Sequence, residues 1–180
     1  MGIEKINIDR FIELSKTCLV LDVRSPGEYM HAHIPHAFSL PLFTDEERKV
    51  VGTTYKQESK QKAIKVGLKY FGTKMIEIVE RVESLVNRSL SLKSNDLMTH
   101  DSMPIIVHCW RGGMRSAGVA WLLDLYGFKV YTLVGGYKAY RSWIRKQFVK
   151  EYNIHILGGY TGSGKTKILQ VLVARNQTVI

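Results

Sequence analysis

The segment His108-Cys109-Trp110-Arg111-Gly112-Gly113-Met114-Arg115-Ser116 gathers groups that could do chemistry. Cys109 ends an apolar run, two glycines follow, and a helical stretch begins straight after. Such a turn can aim backbone N–H groups and a helix N-terminus at the sulfur, a concave anion site. Arg111 and Arg115 add positive charge. All three effects lower a thiol pKa and favour the thiolate. Cys109 is therefore the candidate nucleophile, either to carry a chalcogen atom or to attack phosphorus. Five residues separate it from Arg115, a spacing shared with cysteine phosphatases, so the loop by itself leaves both chemistries open. His108 should point away from the thiol by strand alternation, and Trp110 reads as a packing residue. Cys18 sits in an apolar run without charged neighbours and reads as core.

A second motif, Gly159-Tyr160-Thr161-Gly162-Ser163-Gly164-Lys165-Thr166, fits G-x-x-x-x-G-K-[ST] at every fixed position. Ile154-His155-Ile156-Leu157 before it reads as a strand, and residues 167–173 after it read as a helix, the setting a P-loop needs. Gly159, Gly162, Gly164, Lys165 and Thr166 are the expected phosphate-binding residues. Backbone N–H groups would cradle phosphate, Lys165 would pair with its oxygens, and Thr166 could hold Mg²⁺. Only 14 residues follow Thr166, and Thr178-Val179-Ile180 looks like the start of another strand. The expectation is a fragment, or a truncated product, of a longer protein.

These motifs need elements to position them. Of 180 residues, 45% are hydrophobic and 23% charged, which argues for a folded core rather than disorder. No run of about 18 apolar residues offers a membrane span, and the N-terminus has neither a secretory h-region nor a myristoylation pattern. Two cysteines make neither a disulfide scaffold nor a four-cysteine zinc site, so the reducing cytoplasm is the expected compartment. The net charge is +10, unevenly spread: residues 1–60 carry 8 basic and 9 acidic side chains, residues 121–180 carry 9 and 2. That asymmetry suggests an anionic partner, nucleic acid first. Lys138, Arg141, Arg145 and Lys146 recur at about helical spacing, where they could face phosphates or simply solvent. Tyr137, Tyr140 and Trp143 interleave with them.

Cys18-Leu19-Val20-Leu21, residues 37–40, 104–108 and 130–133 read as short strands. Ser25, Pro26 and Glu28 make a helix start with a capping box. Residues 73–85 and 137–148 have helical periodicity, residues 116–126 form a helix stopped by Gly127, and residues 87–103 read as a loop. Alternating strands and helices predict an α/β fold with a parallel central sheet flanked by helices, over residues 1–148. Residues 149–180 would be the truncated start of a P-loop α/β domain.

Leu21-Asp22-Val23-Arg24-Ser25, Glu28-Tyr29 and His33-Ile34-Pro35-His36-Ala37 resemble the signature of rhodanese-like domains, which carry their catalytic cysteine on a loop like 109–116. Asp22 and Arg24 would support that loop, as an ion pair more than as direct participants. The usual glycine after Ile-Pro is His36 here. A rhodanese-like domain followed directly by a P-loop resembles the tRNA 2-selenouridine synthase family. Pro41-Leu42-Phe43-Thr44-Asp45-Glu46-Glu47-Arg48 and Val51-Gly52-Thr53-Thr54-Tyr55-Lys56-Gln57 carry the same likeness. The resemblance implies a selenotransferase acting on tRNA with 2-thiouridine at the wobble position. It implies S-geranylation from geranyl diphosphate, then displacement of the geranylthio group by selenium from selenophosphate. Cys109 would hold the selenium as a selanyl-cysteine, and the P-loop would bind the diphosphate of the prenyl donor. A rhodanese sulfurtransferase and a non-catalytic tRNA- or nucleotide-binding module are the alternatives. The resemblance implies no resident metal or organic cofactor and no membrane, and a monomer is compatible with it.

Overall fold

The computed structural model describes residues 2–91, 103–151 and 154–179. The chain divides into two compact units, Met1–Phe148 and Val149–Ile180. In the first, five strands form one sheet: β1 (Glu4–Ile6), β2 (Leu19–Asp22), β3 (Phe38–Ser39), β4 (Ile105–His108) and β5 (Val130–Leu133). The order is β1-β5-β4-β2-β3 and every pairing is parallel. Every residue of β2, β4 and β5 is buried. A parallel sheet covered on both faces explains why these strands read as unbroken apolar runs.

Side chains alternate between two apolar clusters. Leu21, Ile105, Val107 and Val130 pack with Phe71, Val82, Val119 and Leu123 on one face. Val20, Ile106, Tyr131 and Leu133 pack with Phe11, Ile34 and Tyr137 on the other. Among the described residues, six helices accompany the sheet: α1 (Ile8–Leu14), α2 (Pro26–His31), α3 (Asp45–Gln57), α4 (Lys60–Ser91), α5 (Met114–Tyr126) and α6 (Gly136–Phe148). Phe11, Phe71, Val82, Val119, Leu123 and Tyr137 come from α1, α4, α5 and α6.

Several elements differ from the sequence expectation. The strand β1 and the helix α1 have three and seven residues, too few for a periodic signal. Asn7 caps α1 by accepting the Arg10 N–H at 2.9 Å. Helix α3 is opened by a capping box, in which Thr44 and Glu47 exchange backbone-to-side-chain hydrogen bonds at 3.2 and 2.9 Å. The helix expected at 73–85 belongs to a helix of 32 residues that begins at Lys60. Its apolar stripe (Ala63, Phe71, Ile78, Val82 and Val86) is buried, and packing carries it past Gly67 and Gly72. The loop expected at 87–103 begins inside this helix, and residues 92–102 lie outside the described ones.

In the second unit, residues 154–157 are not a strand, contrary to expectation. Ile154 and Ile156 are exposed, and an isolated strand has no ladder to join. Thr178 and Val179 are not a strand either, and Ile180 lies outside the described residues. Helix α7 (Lys165–Ala174) forms as expected but buries no residue.

His36 stands where the chain needs a left-handed residue, with φ +63°. Histidine is among the few non-glycine residues that visit this region at all. We expect His36→Gly to raise stability by about 0.5–1 kcal/mol and the β-branched His36→Val to lower it by about 1–2 kcal/mol. Urea midpoints check both. Equal midpoints for all three proteins would contradict the strain argument.

Candidate active site

Cys109 is the first residue after β4, at the carboxyl edge of the sheet, where α/β proteins build their sites. The chain turns through Gly112, at φ +66°, and enters α5 from Gly113. A Cβ on Gly112 would lie 2.5 Å from the Leu133 carbonyl oxygen. A Cβ on Gly136, at φ +55°, would lie 2.2 Å from the Cys109 carbonyl oxygen. At these two glycines the cysteine loop and the β5–α6 turn meet backbone to backbone. Two hydrogen bonds lock that approach: Tyr137 N–H to the Cys109 carbonyl at 2.9 Å, and Lys138 N–H to the Trp110 carbonyl at 3.0 Å.

The Cys109 sulfur is buried with the α4/α5 cluster. It accepts the Gly113 N–H at 3.3 Å and lies 3.3 Å from the Ser116 hydroxyl. Ser116 also reaches the Gly113 carbonyl at 3.0 Å, so its proton can turn to the sulfur when the thiol ionises. Burial pushes the thiol pKa up. The Ser116 hydroxyl and N–H, the Arg115 charge and the Gly113 N–H outweigh burial and hold it below the ordinary value. Arg115, not Arg111, supplies the charge. Arg111 is exposed and lines a hollow of about 350 Å³ with Trp110, Lys138, Arg141, Ser142 and Arg145. The expectation that both arginines charge the thiol is corrected accordingly: the turn sends the two side chains to different places. Lys146 does not line this hollow. Met114, the first residue of α5, is exposed.

Arg115 is held by Glu28, at 2.6 and 3.3 Å. Glu28 also accepts the Ser25 N–H and hydroxyl of the α2 cap, and Arg48 of α3 lies 3.5 Å away. Burial pushes the Glu28 carboxyl up, but Arg115, Ser25 and Arg48 bring it below the usual carboxylate range. In the sequence Glu28 is legible only as a helix cap. Its second partner lies 87 residues on, and no local signal announces it.

Asp22 and Arg24 form an ion pair in which both side chains are fully buried. Arg24 Nε donates to Asp22 at 2.9 Å, Nη2 donates to the Ala32 carbonyl at 2.8 Å, and the guanidinium lies 4.1 Å from the Tyr137 ring centre. His108 is buried beside them, its Nε2 3.8 Å from Asp22. Burial lowers its pKa to about 4; the Asp22 charge opposes this and the Arg24 charge adds to it. It is therefore neutral at pH 7. Trp110 packs at 5.6 Å from Tyr137. Cys18 is half-buried against the α1/α6 cluster.

In the second unit, Gly159, Gly162 and Gly164 all have positive φ and lead into α7. The Lys165 ammonium folds into the loop and donates to the Gly159 and Tyr160 carbonyls, each at 2.7 Å. Thr166 is exposed in the first turn of α7. Among the described residues, no three His, Cys, Asp or Glu side chains cluster so as to hold a metal ion. Nor is any described helix long and apolar enough to cross a membrane.

A family model for the rhodanese-like domain matches residues 8–142. The tRNA 2-selenouridine synthase of Sulfurovum sp. (strain NBC37-1) is 38% identical over 168 residues, 91% of this chain and 42% of that protein. The synthase of the same name from Nitrosomonas europaea is 34% identical over 83% of this chain and 37% of its own length. The chain thus spans about two fifths of these relatives. A solved structure from Clostridium difficile 630, the N-terminal domain of a protein described as ATP/GTP binding, matches at TM-score 0.61 and 35% identity. It covers 79% of this chain, which covers 98% of it.

The thiol geometry sets a pH profile. Iodoacetamide should alkylate Cys109 with a midpoint below that of free cysteine, about 8.5. Ser116→Ala should move the midpoint upward, because it removes the hydroxyl that the thiolate needs. An unmoved midpoint would mean that Ser116 only packs against the sulfur.

Proposed function

We propose that this chain, which belongs to the rhodanese-like domain family, is the thiol-bearing part of a tRNA-modifying selenotransferase. The observation that carries this is the thiolate cradle of Cys109, Gly113, Ser116 and Arg115, together with relatives whose name states 2-selenouridine synthesis. A buried thiol held below its ordinary pKa forms its nucleophilic thiolate more readily than a free cysteine. In this reading Cys109, taken first to a mixed disulfide by a small disulfide oxidant, is attacked at sulfur by the selenium of selenophosphate. The S–Se bond forms, the S–S bond breaks with loss of a thiol, hydrolysis releases phosphate, and the resulting selanyl-cysteine is held for delivery to the wobble base. Asp22 and Arg24 act through the loop they support rather than on the substrate.

The geranyl step also has support in the first unit. An apolar hollow of about 140 Å³ is lined by Leu42, Phe43, Ile64, Phe71 and Met114, beside Arg115. It suits the hydrocarbon chain of an S-geranylated base whose reacting carbon faces the thiol loop, because apolar walls reward burial of each methylene by about 0.8 kcal/mol. Gly159, Gly162, Gly164 and Lys165 fit a diphosphate: positive-φ glycines and a helix N-terminus present N–H groups, and the lysine is already turned inward. Thr166 would be the residue that holds Mg²⁺, which would neutralise diphosphate charge.

Intact mass measured after incubation with selenophosphate and glutathione disulfide should show one added selenium on the wild-type chain and none on Cys109→Ser. Sulfur gain from thiosulfate without any selenium gain would favour a sulfurtransferase instead. A second prediction concerns the apolar hollow. Filling it with Ile64→Trp should weaken binding of S-geranyl-2-thiouridine about tenfold, or about 1.4 kcal/mol. Undiminished binding would place the hydrocarbon elsewhere.

A further inference from the structure

Helix α6 carries Lys138, Arg141, Arg145 and Lys146 and no acidic residue. Lys138, Arg141 and Arg145 recur at i, i+3 and i+7 and line one hollow with Ser142, Trp110 and Arg111. Among the described residues, these three and Arg111 have no ion-pair partner. Some other cations of this unit are met by acids, such as Arg10 by Glu13, Arg24 by Asp22, Lys62 by Glu58 and Arg115 by Glu28, but α6 itself has no acid to offer. Like charges at helical spacing destabilise a helix, so the fold bears a cost here that a polyanion would remove.

The position of the hollow matters as much as its charge. Trp110 and Arg111 are the two residues that follow Cys109. The first turn of α6 is hydrogen-bonded to the same loop, at the Cys109 and Trp110 carbonyls. Basic groups on the helix and the nucleophile on the loop are thereby held in one frame. Trp110 is half-buried and gives the hollow an aromatic wall. Cations that follow a backbone, with an aromatic ring on which a base can stack, are the features that bind single-stranded nucleic acid.

We infer that the hollow between the Trp110–Arg111 turn and α6 is the docking surface for an RNA single strand, whose phosphates it holds while a base is presented to Cys109. This deepens the tRNA reading above and rests on it. Arg111, Lys138, Arg141 and Arg145 contact phosphates, and Trp110 stacks against a base or ribose. Such contacts position the strand without reading its sequence.

The test measures binding of a fluorescently labelled anticodon stem-loop RNA, by anisotropy across a salt series. The proteins compared are the 180-residue chain, its Arg141→Glu/Arg145→Glu variant and a Lys60→Glu/Lys65→Glu control on α4. Both altered residues on α6 are exposed, and melting temperature checks that the variant is folded. The α6 variant should bind at least tenfold more weakly, with the salt slope reduced by about 1.4, two single-strand phosphate contacts at about 0.7 each. The α4 control should bind like the unaltered chain. Equal loss in both double variants, or no loss in the α6 variant, overturns the placement and leaves the tRNA reading standing. No binding by the unaltered chain overturns both.

Discussion

The Arg24 guanidinium is fully buried at the carboxyl edge of the sheet, and groups from four parts of the chain meet it. Asp22 on β2 supplies the counter-charge, the Ala32 carbonyl after α2 accepts one donor, the Tyr137 ring of α6 lies against it, and His108 of β4 stands beside Asp22. Losing either partner of such a pair typically costs about 3–5 kcal/mol, since an uncompensated charge stays behind. Those groups also border the Cys109 turn: His108 precedes it, and Tyr137 donates its N–H to the Cys109 carbonyl. The neutral His108 adds no positive charge to this crowded place. The pair therefore holds in register the elements between which the thiol loop is strung.

From that anchor, two kinds of positive charge separate. Arg115 is half-buried, shared with Glu28, and acts on the thiolate from the α5 side. Arg111, Lys138, Arg141 and Arg145 are exposed and lack carboxylate partners among the described residues. The first arrangement tunes one atom, and a buried group can do that because screening is weak there. The second is an electrostatic surface, felt by an extended anion and weakened by salt. The glycines at 112 and 136 make the division possible. They let the loop and the α6 turn touch through backbone alone, leaving side chains to diverge to either side.

The two units differ in kind. The first has apolar clusters on both faces of a five-stranded sheet. The second has a well-formed glycine loop and helix, but none of its described residues is buried. Its local geometry is dictated by turn residues and by the lysine that folds back on the loop carbonyls. Such geometry needs no core. The two synthases compared above are each more than twice as long as this chain.

What the amino-acid sequence determined by itself is local in origin. The cysteine at a strand end, the glycine turn, the helix start after it, the α2 capping box and the P-loop spacing all depend on residues a few positions apart, so they are visible in a line of text. The central strands were legible too, because burial on both faces leaves unbroken apolar runs. The short edge strand β1, the brief helix α1 and the full reach of α4 were not, since tertiary packing rather than periodicity sustains them. Tertiary structure alone decided which arginine serves the thiol, that Glu28 holds it from 87 residues away, and that Arg111 joins a basic face on α6. Charges act through space, and only the folded chain sets those distances. The missing strand at 154–157 shows the same rule from the other side: a β-prone sequence becomes a strand only where a neighbour offers its hydrogen bonds.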